Sequence, residues 1–233
     1  MTKPLQIDIV SDVACPWCYI GKKRLEAALQ QLPENSVQIT WRPFQLDPTI
    51  PMEGLDRDVY FEKKFGEKAK VAGIFDQVTQ AGKQVGISFA FDQMPKVMNT
   101  LPLHQILQVA GEENVKDALE ERFFQAYFEN GEDLSDFETV AKILEEFGWD
   151  REKTAACWQN EALKSVVLNE IEQYQRAGVS GVPFFILANK YGISGAQPPE
   201  VFVQAIQQVL EETKAMPDTP AEAASCDPAK GCC

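Results

Sequence analysis

Leu5-Gln6-Ile7-Asp8-Ile9-Val10-Ser11-Asp12-Val13-Ala14-Cys15-Pro16-Trp17-Cys18 decides how the rest of the chain is read. Its first half alternates around Ile7 and Ile9 and is rich in β-branched residues, which predicts a strand over Leu5 to Val10. Its second half carries a C-x-x-C into a helix, because Pro16 suits a first helical turn, where its missing N–H is an orphan in any case. Ile20, Leu25, Ala28, Leu29 and Leu32 mark one face of that helix, and Pro33 is expected to stop it. A C-x-x-C at such a junction reads either as half of a zinc site or as a redox dithiol. Zinc needs two further ligands, and the chain offers one His, His104, and the cysteines of its tail. Redox chemistry needs nothing more. Cys15 would stand at the N-cap or first turn, where free N–H groups and the helix dipole favour a thiolate. Cys18, one turn on, would share its face within disulfide reach but deeper.

Outward from this stretch, Val37 to Leu46 reads as a second strand that bends or becomes an edge at Pro43. From about Asp56 to Ala177 the apolar period changes to 3.6. Val71, Ile74, Val78 and Val85 share a face, as do Val115, Leu119, Phe123 and Tyr127. Phe137, Val140, Leu144 and Phe147 follow a capping box of Ser135 and Glu138. Leu163, Val166, Val167, Ile171 and Tyr174 form a last helix, ended by Gly178. No strand is expected in this all-helical unit. Strand character returns at Val182 to Ala188 and at Tyr191 to Ser194, and Glu200 to Lys214 is amphipathic. Neither end piece buries a sheet face alone. Together they make one α/β domain of four strands, residues 1–50 and 179–215, interrupted by a helical insertion domain, 51–178. Residues 216–233 are expected to be a flexible tail.

The balance of 22 Lys+Arg against 35 Asp+Glu gives a net charge of −13 over 233 residues. That excess argues against nucleic acid and against anionic membrane surfaces as partners. Apolar stretches fall well short of the roughly 20 residues of a membrane-spanning helix, and the first residues lack the apolar core of a signal peptide. The expected location is the cytoplasm, where structural disulfides are disfavoured, so the six cysteines need other roles. Cys157, beside Trp158, reads as a buried, inert thiol. Cys226, Cys232 and Cys233 read as an auxiliary redox set exchanging with Cys15 and Cys18, as a soft-metal site, or as a tail without chemistry.

Further stretches carry a resemblance: Ser11 to Gly21, Arg42-Pro43-Phe44-Gln45-Leu46, Asn99-Thr100 with His104, Gly178 to Phe185, and Tyr191 to Pro198. In this order they resemble the FrnE-type DsbA-like thiol oxidoreductases, which are thioredoxin-like folds interrupted by a helical insertion. The resemblance implies oxidation, reduction or isomerisation of disulfides. It implies Cys15 as nucleophile, Cys18 as resolving thiol and Pro183 as a cis-proline beside them. Pro16, Trp17 and the backbone of Val182 would meet substrate, and Asn99 and His104 would line the groove. It implies no resident cofactor and no metal, only a redox-active disulfide, with glutathione as a candidate co-substrate; a homodimer is a candidate assembly because nothing in the helical insert declares all its apolar faces internal. Related kappa-class glutathione transferases and 2-hydroxychromene-2-carboxylate isomerases carry Ser at the position of Cys15. A glutathione-dependent transferase or isomerase is therefore one rival reading, and a thiol-based metal or redox-stress binding protein is another.

Four residues of this site also have local readings. Trp17 lacks the charge of the His found between the cysteines of DsbA, so a weaker oxidant is expected. His104 reads as a packed, hydrogen-bonded residue. Asp12 reads as a turn or cap residue. Asp8 sits on a strand and could face either way, and a buried carboxylate at either position could shuttle a proton to Cys18.

Overall fold

A computed structural model of the chain describes residues 4–215. The three cysteines expected to form an auxiliary set, Cys226, Cys232 and Cys233, lie outside the described residues. Strand β1 (Leu5–Ser11), helix α1 (Pro16–Leu29) and strand β2 (Val37–Pro43) come first. A long segment follows: β3 (Leu55–Asp56), α2 (Arg57–Phe65), α3 (Lys68–Lys83), β4 (Lys96–Val97), α4 (Leu101–Glu112), α5 (Lys116–Phe124), α6 (Phe137–Glu145), α7 (Arg151–Trp158) and α8 (Glu161–Arg176). Strands β5 (Phe184–Leu187) and β6 (Tyr191–Ser194) and helix α9 (Pro199–Ala215) complete it. The four-stranded sheet runs β2-β1-β5-β6, so both ends of the chain contribute to one sheet. β1 is parallel to β2 and antiparallel to β5, with Ile9 opposite both Trp41 and Phe185. This is the mixed α/β architecture of a thioredoxin fold with a helical insertion.

The pleat sends alternate residues to opposite faces of the sheet. Ile7, Ile9, Phe185 and Leu187 join the main core, and Phe202 of α9 packs edge-on against Phe185 at 4.7 Å between ring centroids. Val10, Phe184 and Ile186 face the other way, toward Phe44, Tyr174 and Val179. Because both faces of β1 are covered, it reads as an almost unbroken buried run. Asp8 shares the second face; it is buried and accepts a hydrogen bond from Arg42 Nε at 2.9 Å. Arg42 also reaches Glu170 of α8. The main core continues without a break from the sheet into α4, α5 and α6. Polar ties cross the same boundary: buried Lys22 on α1 meets Glu121 at 3.0 Å, Trp41 donates to Asp117 at 2.8 Å, and Lys116 donates to the Trp41 carbonyl at 2.9 Å.

Several elements differ from their sequence expectation. The segment expected to be all-helical contains an antiparallel pair, β3 with β4, pairing Leu55 with Val97 and Asp56 with Lys96. Two residues per strand are too few to show a period of two. Helix α1 stops at Leu29 rather than running to Pro33, because its end tightens into i→i+3 bonds, Gln31 N–H to the Ala28 carbonyl and Leu32 N–H to the Leu29 carbonyl. Val85 lies beyond the end of α3. The second strand ends at Pro43, and the third of the sheet begins only at Phe184, after the proline. The expected capping box is displaced by one residue. Asp136, not Ser135, caps α6, its carboxylate accepting from Thr139 N–H at 3.0 Å. Ser135 instead bonds Asp133, and Glu138 pairs with Arg151. Gly178 takes φ +97° just after α8, the left-handed conformation in which a helix commonly ends.

Candidate active site

The site stands where β1 runs into α1. Cys15 is the N-cap residue of α1, in extended conformation, with Pro16 in the first turn and no acidic residue in that turn. The Cys15 side chain makes no capping hydrogen bond to that turn. Cys18 lies one turn on, and the two cysteines, both free, approach within 3.5 Å. Both are buried, Cys18 at 1% and Cys15 at 4% exposure, but Cys15 lines an open cavity and Cys18 does not.

The Val182–Pro183 peptide bond is cis, and it sets the Val182 carbonyl 3.6 Å from Cys15 Sγ. The close fit of this loop on α1 depends on Gly21. A Cβ there would lie 3.0 Å from Pro183 Cγ and 3.1 Å from Phe185 Cζ.

Burial drives the Cys18 thiol well above the usual thiol range, and the neighbouring Cys15 adds to this by hydrogen bond and charge. The Asp12 backbone and the Ser11 hydroxyl act in the opposite sense. These opposed influences order the chemistry. While Cys15 carries negative charge, Cys18 holds its proton. Once Cys15 is consumed in a mixed disulfide, its contribution vanishes, and burial still favours the Cys18 thiol against the Asp12 backbone and the Ser11 hydroxyl.

Behind the dithiol lies a buried polar layer. Asp12 is 1% exposed. Its carboxylate accepts from Leu46 N–H at 2.7 Å and from Ala14 N–H at 3.3 Å, so it shapes the turn before Cys15. His104 is buried, with Nε2 2.8 Å from the Phe44 carbonyl and 3.5 Å from Asp12. Asn99 accepts from Gln45 and donates to the Ile50 carbonyl. Asn99 and His104 thus brace the loop after β2 and are not among the residues lining the cavity beside Cys15. Of the residues expected to meet substrate, that lining includes Cys15, Pro16, Trp17 and Val182.

Sequence reasoning missed Glu120. This carboxyl, on α5, is 2% exposed and accepts from the Ser11 hydroxyl at 3.1 Å, and burial pushes it above the ordinary carboxylate range. It is the buried acid next to Ser11, whereas Asp8 is tied to Arg42. The run Leu119-Glu120-Glu121-Arg122 carries no signal that would single it out from a solvated helix face.

The cavity at Cys15 has a volume of about 380 Å³. Its walls come from α2, α3, the stretch Phe91 to Met98, and a π-helical turn, Gln125–Glu129, that continues α5. Tyr127 and Phe128 of that turn both line the cavity. A second cavity of about 400 Å³ lies along α1 among Lys23, Arg24, Glu26 and Pro198, and no cysteine lines it.

Comparison with known proteins agrees with this geometry. A probable DsbA oxidoreductase of Streptomyces coelicolor is 31% identical, with 98% of each chain covered and a TM-score of 0.85. The uncharacterised protein YwbO of Bacillus subtilis is 25% identical over 203 residues, 87% of this chain and 96% of its own. The cytosolic disulfide reductase DsbM of Pseudomonas aeruginosa, solved with GSH, shares the fold at 16% identity and a TM-score of 0.65, covering 89% of this chain and all of its own. The model of the DSBA-like thioredoxin domain matches residues 6–207, and the chain belongs to that family.

Proposed function

We propose that this chain is a FrnE-type thiol–disulfide oxidoreductase working in the cytoplasm on protein, peptide or small-molecule disulfides. The observation that carries the reading is the pair of free cysteines 3.5 Å apart at a helix N-terminus, with Cys15 Sγ 3.6 Å from the Val182 carbonyl. The Cys15 thiolate attacks one sulfur of a substrate disulfide, forming a mixed disulfide and releasing a thiolate. Cys18 then attacks Cys15 Sγ, closing the Cys15–Cys18 disulfide and releasing the second substrate thiol. Pro16, Trp17, Val182 and Pro183 present the substrate, and Asn99 and His104 hold the loop behind it. Residues 1–50 with 179–215 carry the chemistry, and residues 51–178 build the wall of the substrate site. Glutathione or a partner dithiol recharges the enzyme.

Trapping tests this reading. The Cys18→Ser variant should accumulate disulfide-linked adducts through Cys15, seen as reductant-sensitive bands and mapped by mass spectrometry. Absence of any adduct from cells or from an insulin incubation would sink it.

A glutathione transferase on the same fold would instead conjugate glutathione to an electrophile and leave insulin disulfides unreduced.

The high proton affinity of Cys18 adds a kinetic expectation. Closure of a preformed Cys15 mixed disulfide should quicken as pH rises from about 6 to 9, approaching tenfold per unit while Cys18 remains mostly protonated. Stopped-flow release of the leaving thiol measures it, and a flat profile would show that deprotonation of Cys18 does not limit closure.

A further inference from the structure

The geometry points to a substrate with a neutral aromatic body: the cavity beside Cys15 is a binding site for an aryl or heteroaryl thiol or disulfide. This inference rests on the oxidoreductase reading above and specifies its substrate class. The volume of about 380 Å³ falls at the small end of the range for small-molecule sites, roughly 300–1,000 Å³.

The lining joins aliphatic side chains such as Ile50, Ile74 and Met98 to a chain of aromatic rings. Phe61 meets Phe75 edge-on at 5.0 Å, Phe75 stacks on Phe91 at 4.6 Å, and Phe91 meets Phe128 at 6.0 Å. Trp17 stands in the same lining beside Cys15. Phe91, stacked on Phe75 and on Phe89, and Phe128 are buried and form the backing of the wall, and Trp17, Phe61, Phe65 and Phe75 are the partly open rings of the lining that a further ring would meet.

The charged groups in the lining are already occupied. Lys64 lies 3.7 Å from Asp47 and donates to Tyr60 Oη, whose hydroxyl in turn donates to Asp47 at 2.8 Å. Asp12 is held by two backbone N–H groups. No unpaired cation among the lining residues awaits a carboxylate, so neither of glutathione's two carboxylates finds a cationic partner inside the cavity.

The step balances within the chain. The Cys15 thiolate attacks one sulfur of the aryl disulfide, the S–S bond breaks, and one aryl thiolate leaves with the electron pair. Cys18, losing its proton to solvent, then attacks Cys15 Sγ and expels the second aryl thiolate. The substrate gains two electrons and the dithiol loses two.

The test uses the reduced, full-length protein and two neutral disulfides, 2,2′-dithiodipyridine and bis(2-hydroxyethyl) disulfide. Rates are taken from the kinetic phase that Cys15→Ser abolishes, and each is divided by the rate with free N-acetylcysteine to remove intrinsic reactivity. We expect the wild type to prefer the aromatic disulfide by about tenfold or more. Ile74→Trp, which fills the cavity from α3, should lower that preference by about tenfold. Phe75→Leu, which removes one ring at nearly constant size, should lower it in the same direction and serves if the tryptophan variant does not fold. No preference in the wild type, or a preference unchanged in the folded variants, overturns the aromatic assignment and leaves the oxidoreductase reading standing. Failure of both disulfides to oxidise Cys15 overturns the oxidoreductase reading itself.

Discussion

Cys15→Ser is expected to lower insulin-disulfide reduction by about 1,000-fold or more, to the rate without enzyme. Exchange at sulfur requires a thiolate, and a serine hydroxyl at neutral pH supplies no comparable nucleophile. Neither remaining described thiol can take over. Cys18 is 1% exposed and its proton is held by burial; Cys157 is 7% exposed and burial raises its thiol as well. The substitution is nearly isosteric at a helix N-cap that serine favours, so the melting temperature should hold while activity disappears. Retention of more than about a tenth of the wild-type rate would assign the nucleophile elsewhere.

Phe185→Ala should cost about 3–5 kcal/mol of stability. Phe185 is fully buried on β5, opposite Ile9 of the central strand, with its ring edge-on to Phe202 of α9. Its removal opens a void where strand, α1 and α9 meet, and interiors at close-packed density relax only partly around such a void. Against a total of about 5–15 kcal/mol for a domain, the loss is a large fraction. Urea unfolding monitored by tryptophan fluorescence should show a lower midpoint at unchanged slope. A change below about 1 kcal/mol would mean that the neighbouring rings collapse into the space. Because Phe185 Cζ and Pro183 Cγ both press on Gly21, the variant should also loosen the cis-proline loop against α1.

What was legible in the sequence was local. β1, the helix beginning at Pro16, the β5–β6 hairpin and α9 each repeat a short-range pattern over enough residues to be read. The rest depended on distant partners. Ser135 and Asp136 are both good cap residues one position apart, and only the pairings with Asp133 and Thr139 choose between them. Glu120 becomes a buried acid because Ser11, 109 positions away, meets it. Asp8 had two faces open to it, and Arg42 on the neighbouring strand settled which. His104 looked like a packed histidine and sits as one, but its partners Phe44 and Asp12 come from the other piece of the chain. The aromatic wall was the least legible part of the site. Phe75, Phe91 and Phe128 lie at spacings ordinary for core residues, and they meet across 53 positions of sequence, which no local pattern announces.

The 167 positions between Cys15 and Val182 give the site a history during synthesis. At about 5–20 residues per second, the dithiol leaves the ribosome roughly 10–30 s before the strand that shelters it has been made. During that interval β1 lacks its β5 neighbour and both thiols face the surrounding solution. The two thiols of the site therefore emerge well before the strand that encloses them, so the redox state of the compartment acts on them as newborn cysteines before they can act on anything else.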